Sequence, residues 1–431
     1  NSTSMQQEVT KRGLFSWALY DWANSSYFVI IQTFIFAAYF TRSIAEDPTT
    51  GTAQWGNTIS AAGIVIALFA PLLGAVADKA GRRKPWIAFF SVMCIIACAL
   101  LWYAEPGSSF ILFSLVMVFF ATIGAEFSFI FYSAMLPDLV SKDRIGRWSG
   151  WGWGLGYAGG LACLLVALLA FIQTEGFWLG LNVENAEHIR ATFLLTAVWF
   201  ALFSIPIFIY TPDTPSTKMG FQESVQQGLK QLISSIKEVR QFKNIARFLL
   251  ARMFYNDGLT TIFALGGVYA AGTFNMDESE ILMFGVGLNV TSGIGAFGFA
   301  WMDDKSGSKK TILYSLAGLI LPLMALVLVK SSFWFIIFGL ILGFFVGPVQ
   351  TASRTFMARL APADMMNQMF GLFALSGKVT SFIGPFMVGT ITLFAGSQRI
   401  GMLAILLLLL LGFIIMLGVN EAPSYRRAAE A

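Results

Sequence analysis

Five charged residues lie inside long apolar runs of this sequence, where an unpaired charge is costly. They are Asp21, Glu126, Asp257, Arg354 and Lys378. Insertion scales put the cost of one such residue at about 2.5–3.5 kcal/mol, so a charge within a span usually marks a pathway for substrate or ions. We expect the aspartates to contact cationic groups or hydrogen-bond donors, and the two basic residues to contact a carboxylate or phosphate. The alternative is a set of buried ion pairs that hold helices together.

Polar neighbours share helical faces with these charges. Asn24 follows Asp21 by three residues, and Gln350 precedes Arg354 by four, so each pair lies on one face of its helix. The predicted substrate-binding residues are Tyr20, Asp21, Asn24, Asn256, Asp257, Gln350, Arg354 and Lys378. The candidates for carrying a proton are Glu126 and Asp257, because burial in a poorly hydrated cavity disfavours a charged carboxylate.

The elements that hold these residues are apolar segments. The chain has 431 residues, of which 56% are hydrophobic and 12% charged, whereas a typical soluble domain is about 25% charged. Runs of about 18 or more apolar residues predict membrane-spanning helices, since a helix satisfies its backbone polar groups within the bilayer. The sequence predicts twelve spans: 14–40, 56–77, 86–104, 110–133, 148–172, 190–210, 247–272, 281–302, 311–329, 333–356, 368–394 and 398–419.

The distribution of Lys and Arg predicts the orientation of the spans. With a cytoplasmic N-terminus, all but five of the 28 basic residues lie in or beside cytoplasmic segments. The five exceptions are Arg42, Arg190, Lys330 and Arg399 on the outside, and Lys378 within a span. Positive charge favours the cytoplasmic side. We therefore expect a multi-pass protein of a bacterial inner membrane, surrounded by the lipid bilayer, with both termini cytoplasmic.

A polar loop occurs twice, at residues 74–84 (GAVADKAGRRK) and 300–310 (AWMDDKSGSKK). In each copy an aspartate is followed three residues later by glycine and then by basic residues. The aspartate can cap a helix start or pair with a cation, and the glycines permit close approach and a tight turn. The predicted cytoplasmic gate consists of Gly74, Asp78, Gly81, Arg82, Arg83, Asp304, Lys309 and Lys310. Because Ala300 and Ser308 replace a glycine and an arginine, we expect the second copy to gate more weakly.

The repeat divides the chain into two six-helix halves, residues 1–210 and 247–431, joined by a cytoplasmic linker at 211–246. The linker has apolar residues at helical spacing, at Phe221, Val225, Leu229, Leu232, Ile236 and Val239. This spacing predicts an amphipathic helix on the membrane surface or under the bundle, which ties the halves together. A plain linker is the alternative.

The repeated loop resembles the signature loop of the major facilitator superfamily. The resemblance implies an all-α membrane protein in which spans 1, 4, 7 and 10 line a central cavity. Those spans carry Asp21, Glu126, Asp257 and Arg354. It also implies that the two halves rock about a central site to expose it alternately.

Other motifs resemble one family within that superfamily. Residues 20–25 (YDWANS), 255–258 (YNDG), 347–354 (GPVQTASR) and, apart from Ser133, 131–137 (FYSAMLP) are similar to the vacuolar amino-acid effluxers known from autophagy. This resemblance implies export of amino acids or similar metabolites for the fungal members. Residues 78–86 (DKAGRRKPW) also resemble the glycoside–cation symporters, which implies a sugar, with carboxylates that bind Na⁺ or H⁺.

The remaining composition argues against other classes of protein. The only histidine is His188, and Cys94, Cys98 and Cys163 all fall within spans, so we expect no disulfide framework, metal site, cofactor or catalytic triad. Basic residues are spread over loops, which argues against nucleic-acid binding. We predict a non-enzymatic, monomeric secondary transporter that moves a small polar metabolite, such as an amino acid or another zwitterion, by proton-coupled alternating access. A glycoside–cation symporter that uses H⁺ or Na⁺ is the alternative.

Overall fold

A computed structural model describes residues 9–237, 239–276 and 278–421 as a bundle of long helices. In chain order the helices are α1 (Lys11–Ile44), α2 (Thr50–Ala80), α3 (Lys84–Tyr103), α4 (Ser108–Leu139), α5 (Ile145–Ile172), α6 (Glu187–Tyr210), α7 (Phe221–Lys237), α8 (Lys243–Phe274), α9 (Glu280–Ser306), α10 (Ser308–Leu328), α11 (Ser332–Leu360), α12 (Ala363–Ala395) and α13 (Gln398–Leu417). Helices α1 and α5 each contain a stretch of wider, π-type turns.

Eleven of the described helices are long and apolar enough to cross a membrane. Helix α8 is also long, at 32 residues, but carries Lys243, Arg247, Arg252 and Asp257. With α8 included, the described part of the chain has the twelve long helices that the sequence predicts, and the all-helical, twelve-span fold class is confirmed. Helix α7 lies between the sixth and seventh of them.

Two glycines of the repeated loop end helices. Gly81 follows α2 with a φ of 92°, and Gly307 separates α9 from α10 with a φ of 91°. Residues with a side chain rarely adopt such backbone angles, whereas glycine does so at little cost. The chain can therefore turn back sharply at these two points. We call the side of the bundle that carries both loops the gate side.

The two halves meet closely on the gate side. Helix α2 packs against the Met366–Lys378 segment of α12, and α5 packs against α9. A Cβ atom added to Gly74 would lie 2.3 Å from the backbone oxygen of Asn367, and one on Gly371 would lie 2.4 Å from that of Ala70. Only glycine permits such an approach of two helix backbones.

The same helices separate towards the opposite side. Helix α12 is interrupted over residues 379–382 and resumes as Ile383–Ala395, which packs against α8 and α13. On α2, a Cβ atom added to Gly56 or Gly63 would meet nothing within 4 Å. Helices α2 and α12 are therefore in close contact on the gate side and diverge towards the opposite side.

Candidate functional site

Asp78 joins the two halves by capping α12. Its two carboxylate oxygens accept the backbone N–H groups of Asn367 and Gln368, each at 2.9 Å. The first N–H groups of a helix lack partners within the helix, and the positive end of the helix dipole favours an anion there. Arg83 adds a second link, because its Nε donates to Asn367 Oδ1 at 2.9 Å while its guanidinium pairs with Asp138.

Asp304 makes the corresponding contact from the other half. Its carboxylate accepts the backbone N–H groups of Gly146 at 2.8 Å and Arg147 at 2.9 Å, at the start of α5. It also pairs with the side chains of Arg147 at 2.9 Å and Arg359 at 3.0 Å. Arg359 pairs in addition with Asp303 at 2.6 Å. The altered copy of the loop thus forms the same kind of cap and adds buried ion pairs.

Two of the other predicted gate residues stay within their own half. Arg82 lies 3.7 Å from Asp213, which follows α6. Lys309 donates to the backbone oxygen of Leu417 at 3.0 Å. Lys310 is exposed. Of the predicted gate residues, the two aspartates, Arg83 and Gly74 contact the opposite half in the described part of the chain.

A buried ion pair joins the halves inside the bundle. Arg354 Nη1 on α11 lies 3.7 Å from Asp21 Oδ2 on α1. The Arg354 guanidinium also donates to Ser149 Oγ at 3.0 Å and to Ser149 O at 2.7 Å. It lies 4.8 Å from the ring of Trp153 and 5.3 Å from that of Trp17, within the range of cation–π attraction. Arg354 is fully buried, so it acts in this conformation as a link between helices.

A second ion pair between the halves remains accessible. Lys378 Nζ on α12 lies 2.9 Å from Glu126 Oε1 on α4. The side chains are 31% and 20% exposed respectively, unlike those of the first pair. Partly exposed pairs contribute little net stability, because water competes for both charges. A solute that reaches this point can therefore exchange contacts with either partner.

A small cavity of about 30 Å³ lies beside this pair, with space for about one or two water molecules. It is lined by Trp153, Arg252, Tyr255, Asn256, Leu259, Gln350, Ser353 and Phe373. Asn256 Nδ2 donates to Gly377 O at 3.2 Å, and Gln350 Oε1 accepts from Tyr157 OH at 2.8 Å. The lining combines aromatic rings, amides and one guanidinium, but the volume is far below the roughly 300 Å³ of an ordinary ligand pocket, so in this conformation the cavity has room for water only.

Arg252 is the charged lining residue that the sequence analysis did not predict. Its Nη1 donates to Phe373 O and to Ser376 Oγ, the latter at 2.9 Å. Its guanidinium lies 3.5 Å from the centre of the Phe373 ring and interacts electrostatically with Glu126 and Asp257. Arg252 precedes Asn256 by four residues and so shares its helical face, which was the available signal.

A family model described as "Vacuole effluxer Atg22 like" matches residues 56–429 of the chain. The chain belongs to the Atg22-like family. It is 28% identical over 418 residues to the "Uncharacterized MFS-type transporter YxiO" of Bacillus subtilis (strain 168), and the match covers 95% of each protein. It is also 26% identical over 307 residues to autophagy-related protein 22 of Cryptococcus neoformans. That match covers 66% of this chain and 54% of the fungal protein, so the chain spans about half of its length.

Solved structures share the fold of this Atg22-like chain. The proton:xylose symporter XylE superposes with a TM-score of 0.72 at 12% identity, covering 95% of this chain and 96% of XylE. The transporter FucP superposes with a TM-score of 0.74 at 13% identity, covering 96% of this chain and 99% of FucP. At these identities the likeness concerns the fold. Together with the Atg22-like family match and the MFS-type relative, this fold identifies the chain as a multi-pass integral membrane transporter of the major facilitator superfamily, as its repeated loop predicts.

The Atg22-like motif residues of α1 are placed differently from those of α8. Tyr20 OH forms a 2.7 Å hydrogen bond with Ser91 Oγ, and Asn24 Nδ2 donates to a backbone oxygen of α4 at 3.4 Å, so both are buried within the N-terminal half. Asp257 is buried and accepts from Thr380 Oγ1 at 2.8 Å, next to the interruption of α12. Of the eight predicted substrate-binding residues, Asn256 and Gln350 line the cavity, and Lys378 lies in the accessible ion pair.

Proposed function

We propose that this chain is a secondary active transporter for a small zwitterionic metabolite, an amino acid or a similar molecule, coupled to protons. The observation that carries the proposal is the accessible Glu126–Lys378 pair, 2.9 Å apart and contributed by opposite halves. A zwitterion presents a carboxylate to Lys378 and an ammonium group to Glu126. It replaces one ion pair by two without adding net charge, which keeps the cost of burying it low.

Residues that line the neighbouring cavity would supply further contacts of the right chemistry in a conformation in which that cavity is wider. Arg252 has guanidinium N–H groups beyond those that bind Phe373 and Ser376, and a guanidinium can hold a carboxylate in bidentate fashion. Asn256 and Gln350 offer amide donors and acceptors from the same wall. The aromatic rings that line the cavity suit the apolar part of a metabolite.

Glu126 is the proton carrier in this proposal. Protonation of its carboxylate removes the charge that holds Lys378 and so weakens a link between α4 and α12. Asp257, which has one carboxylate oxygen without a hydrogen-bond partner, is the second proton site. Loss of such links allows the halves to rock about the central site. A membrane potential supplies about 2.3 kcal/mol per charge per 100 mV to drive the cycle.

The proposal places the gate side in the cytoplasm of a bacterial cell, with the protein working as a monomer in the inner membrane. The positive charges of the loops support this orientation. The gate side is closed by the caps at Asp78 and Asp304, so the described conformation faces outward in this view. The description of the matching family, a vacuole effluxer, supports transport of a solute out of a compartment.

Counterflow in proteoliposomes tests the substrate class. Purified protein is reconstituted and loaded with unlabelled neutral amino acids, basic amino acids or sugars, and the entry of each labelled compound is measured. We expect counterflow of zwitterions and its strong reduction by Lys378→Gln, while the exposed Lys330→Gln, a matched control, transports normally. Counterflow of sugars alone would favour a glycoside symporter and refute the proposal.

A pH gradient tests the coupling. Vesicles with and without an imposed gradient are compared for accumulation of the transported compound, and a protonophore serves as the control. We expect accumulation that requires the gradient and disappears with the protonophore. Flux that ignores the gradient would refute proton coupling while leaving the substrate class intact.

A further inference from the structure

The linker after α6 is bound to the first gate loop. The Asp213 carboxylate accepts the backbone N–H groups of Arg83 and Lys84, each at 3.0 Å. The backbone N–H of Thr217 donates to Ala80 O at 3.2 Å, and its hydroxyl donates to a second oxygen of the same loop. These bonds fix the chain that leads into α7 against the end of α2.

One face of α7 rests on both halves. Ser224, Gly228 and Gln231 recur at four- and three-residue spacing and so lie on one side of the helix. A Cβ atom on Gly228 would lie 2.8 Å from Val76 N, so α7 touches the backbone of α2 there. Gln231 Nε2 donates to Gln368 Oε1 at 2.7 Å, which adds a bond to α12.

That bond reaches the residue that the gate aspartate caps. Gln368 is fully buried, and its backbone N–H is one of the two that Asp78 accepts. The Gln231–Gln368 bond therefore requires α2 and α12 to be together. It belongs to the gate-closed conformation.

Apolar and polar side chains lie on different faces of α7, on either side of its packing face. The apolar ones are exposed, with Phe221 at 74% and Ile236 at 66%, and Leu229 and Ile233 lie between them. At about 100° per residue, these apolar residues centre roughly a third of a turn from the packing face. The polar residues lie on the opposite flank, and they include Glu223, Lys230, Ser234 and Lys237. This division matches a helix that lies along a bilayer surface.

The position of α7 indicates that its apolar face meets lipid. Gly228 touches α2 at Val76, two residues before the gate aspartate and thus close to the end of the span. Further along the span, Leu68 and Phe69 are exposed apolar residues of the same helix. The apolar face of α7 continues such a surface at headgroup depth, where Lys230 and Lys237 can meet anionic headgroups.

We propose that α7, Phe221–Lys237, is a lipid-binding clasp. Its apolar face inserts into the cytoplasmic leaflet, its lysines bind anionic headgroups, and Gln231 then holds α12 against α2. A ligand shifts a conformational equilibrium by its preference for one state. Because the lipid-bound position of α7 includes the Gln231–Gln368 bond, anionic lipid favours the gate-closed conformation. The choice of leaflet rests on the proposed orientation; the clasp does not depend on which substrate is carried.

Thiol labelling of the full-length protein tests the clasp. Thr260→Cys places a reporter one turn beyond Asn256 on the cavity-facing side of α8, where Thr260 is exposed; the native cysteines are buried. The rate of labelling by a membrane-impermeant maleimide is measured in oriented vesicles of phosphatidylcholine, with and without phosphatidylglycerol. We expect faster labelling with the anionic lipid, because a closed gate leaves the opposite side accessible.

Variants on each face of α7 show which contacts make the labelling rate depend on lipid. Lys230→Gln with Lys237→Gln should reduce the response to phosphatidylglycerol by up to about fivefold per lysine. Ile233→Asn should slow labelling in both lipids, because it removes part of the inserted face. Ser234→Ala, on the polar flank, is the matched control and should label like the parent.

Gln231→Ala tests the bond itself and keeps the proposal falsifiable if the face variants fold poorly. We expect it to abolish the difference between the two lipids while the protein remains folded by size-exclusion chromatography. An undiminished lipid response in Gln231→Ala, or equal labelling of the parent protein in both lipids, would overturn the clasp. Neither result would affect the proposed substrate or coupling, since the measurement involves no transport.

Discussion

Asp78→Asn should shift the transporter away from the gate-closed conformation. Asp78 accepts two backbone N–H groups at 2.9 Å, one with each oxygen. Asparagine retains one acceptor and turns an amide towards the other N–H, so one charge-assisted bond of about 1.5–3 kcal/mol is lost. The loss of the charge near the helix dipole adds about 0.3–1 kcal/mol. The total of about 2–4 kcal/mol corresponds to a change of about 30- to 700-fold in the gate equilibrium.

The Thr260→Cys reporter measures this shift. Labelling from the side opposite the gate should slow in Asp78→Asn, because the open-gate state closes that side. Asp364→Asn provides the matched control: Asp364 is exposed in the first turn of α12, so it makes the same charge change near the same helix end. If the two variants labelled at the same rate, the cap would not hold the gate and the reasoning would fail.

Three further predictions concern the central pairs and the helix contact. Arg354→Met should destabilise the protein by about 3–5 kcal/mol, because it leaves the buried carboxylate of Asp21 unpaired. The double variant with Asp21→Asn should recover most of this loss. Thermal unfolding measures both, and a single variant as stable as the double would contradict the prediction. Gly371→Ala puts a Cβ 2.4 Å from a backbone oxygen of α2 and should slow labelling of the cysteine reporter, whereas Gly389→Ala meets open space and should not. Glu126→Gln should abolish gradient-driven accumulation and also weaken counterflow of zwitterions, because the contact to the ammonium group is lost; unchanged accumulation would show that another group carries the proton.

The sequence predicts the number and type of spans well because the bilayer imposes a strong constraint. Long apolar runs, few internal charges and basic loops together identify the spans, including α8 despite its four charged residues. The interruption of α12 at residues 379–382 (VTSF) has a sequence signal that the span prediction did not use, because Gly384 and Pro385 follow closely. Pro385 has no N–H to donate to the oxygen of Ser381, so a regular helix cannot run through this point. The Thr380–Asp257 hydrogen bond beside the interruption is a tertiary contact that one sequence does not display.

The sequence singled out part of the candidate site, namely Asn256, Gln350 and the two charges Glu126 and Lys378, but not how the charges pair. Charges inside spans stand out by their cost, yet which charges meet depends on how the halves pack. Arg252 was hidden because the distribution of positive charge assigns it to the cytoplasmic end of its span. Asp304 shows a related limit: backbone N–H groups do most of the binding in a helix cap, so changes in the neighbouring loop residues say little about it.

One segment of α12 carries both a residue of the candidate substrate site and the residues that Asp78 binds on the gate side. Lys378 is the last residue of the Met366–Lys378 segment, whose first residues contact Asp78, and the next segment packs against α8 and α13. The Glu126–Lys378 contact therefore lies where the first segment of α12 ends and the interruption begins. A compound that replaces the Glu126–Lys378 contact removes a restraint on how the two segments of α12 are oriented. Of these two segments, Met366–Lys378 is the one that Asp78 binds. A compound bound at the Glu126–Lys378 contact can thus affect the gate-side contacts of Asp78 through α12 alone.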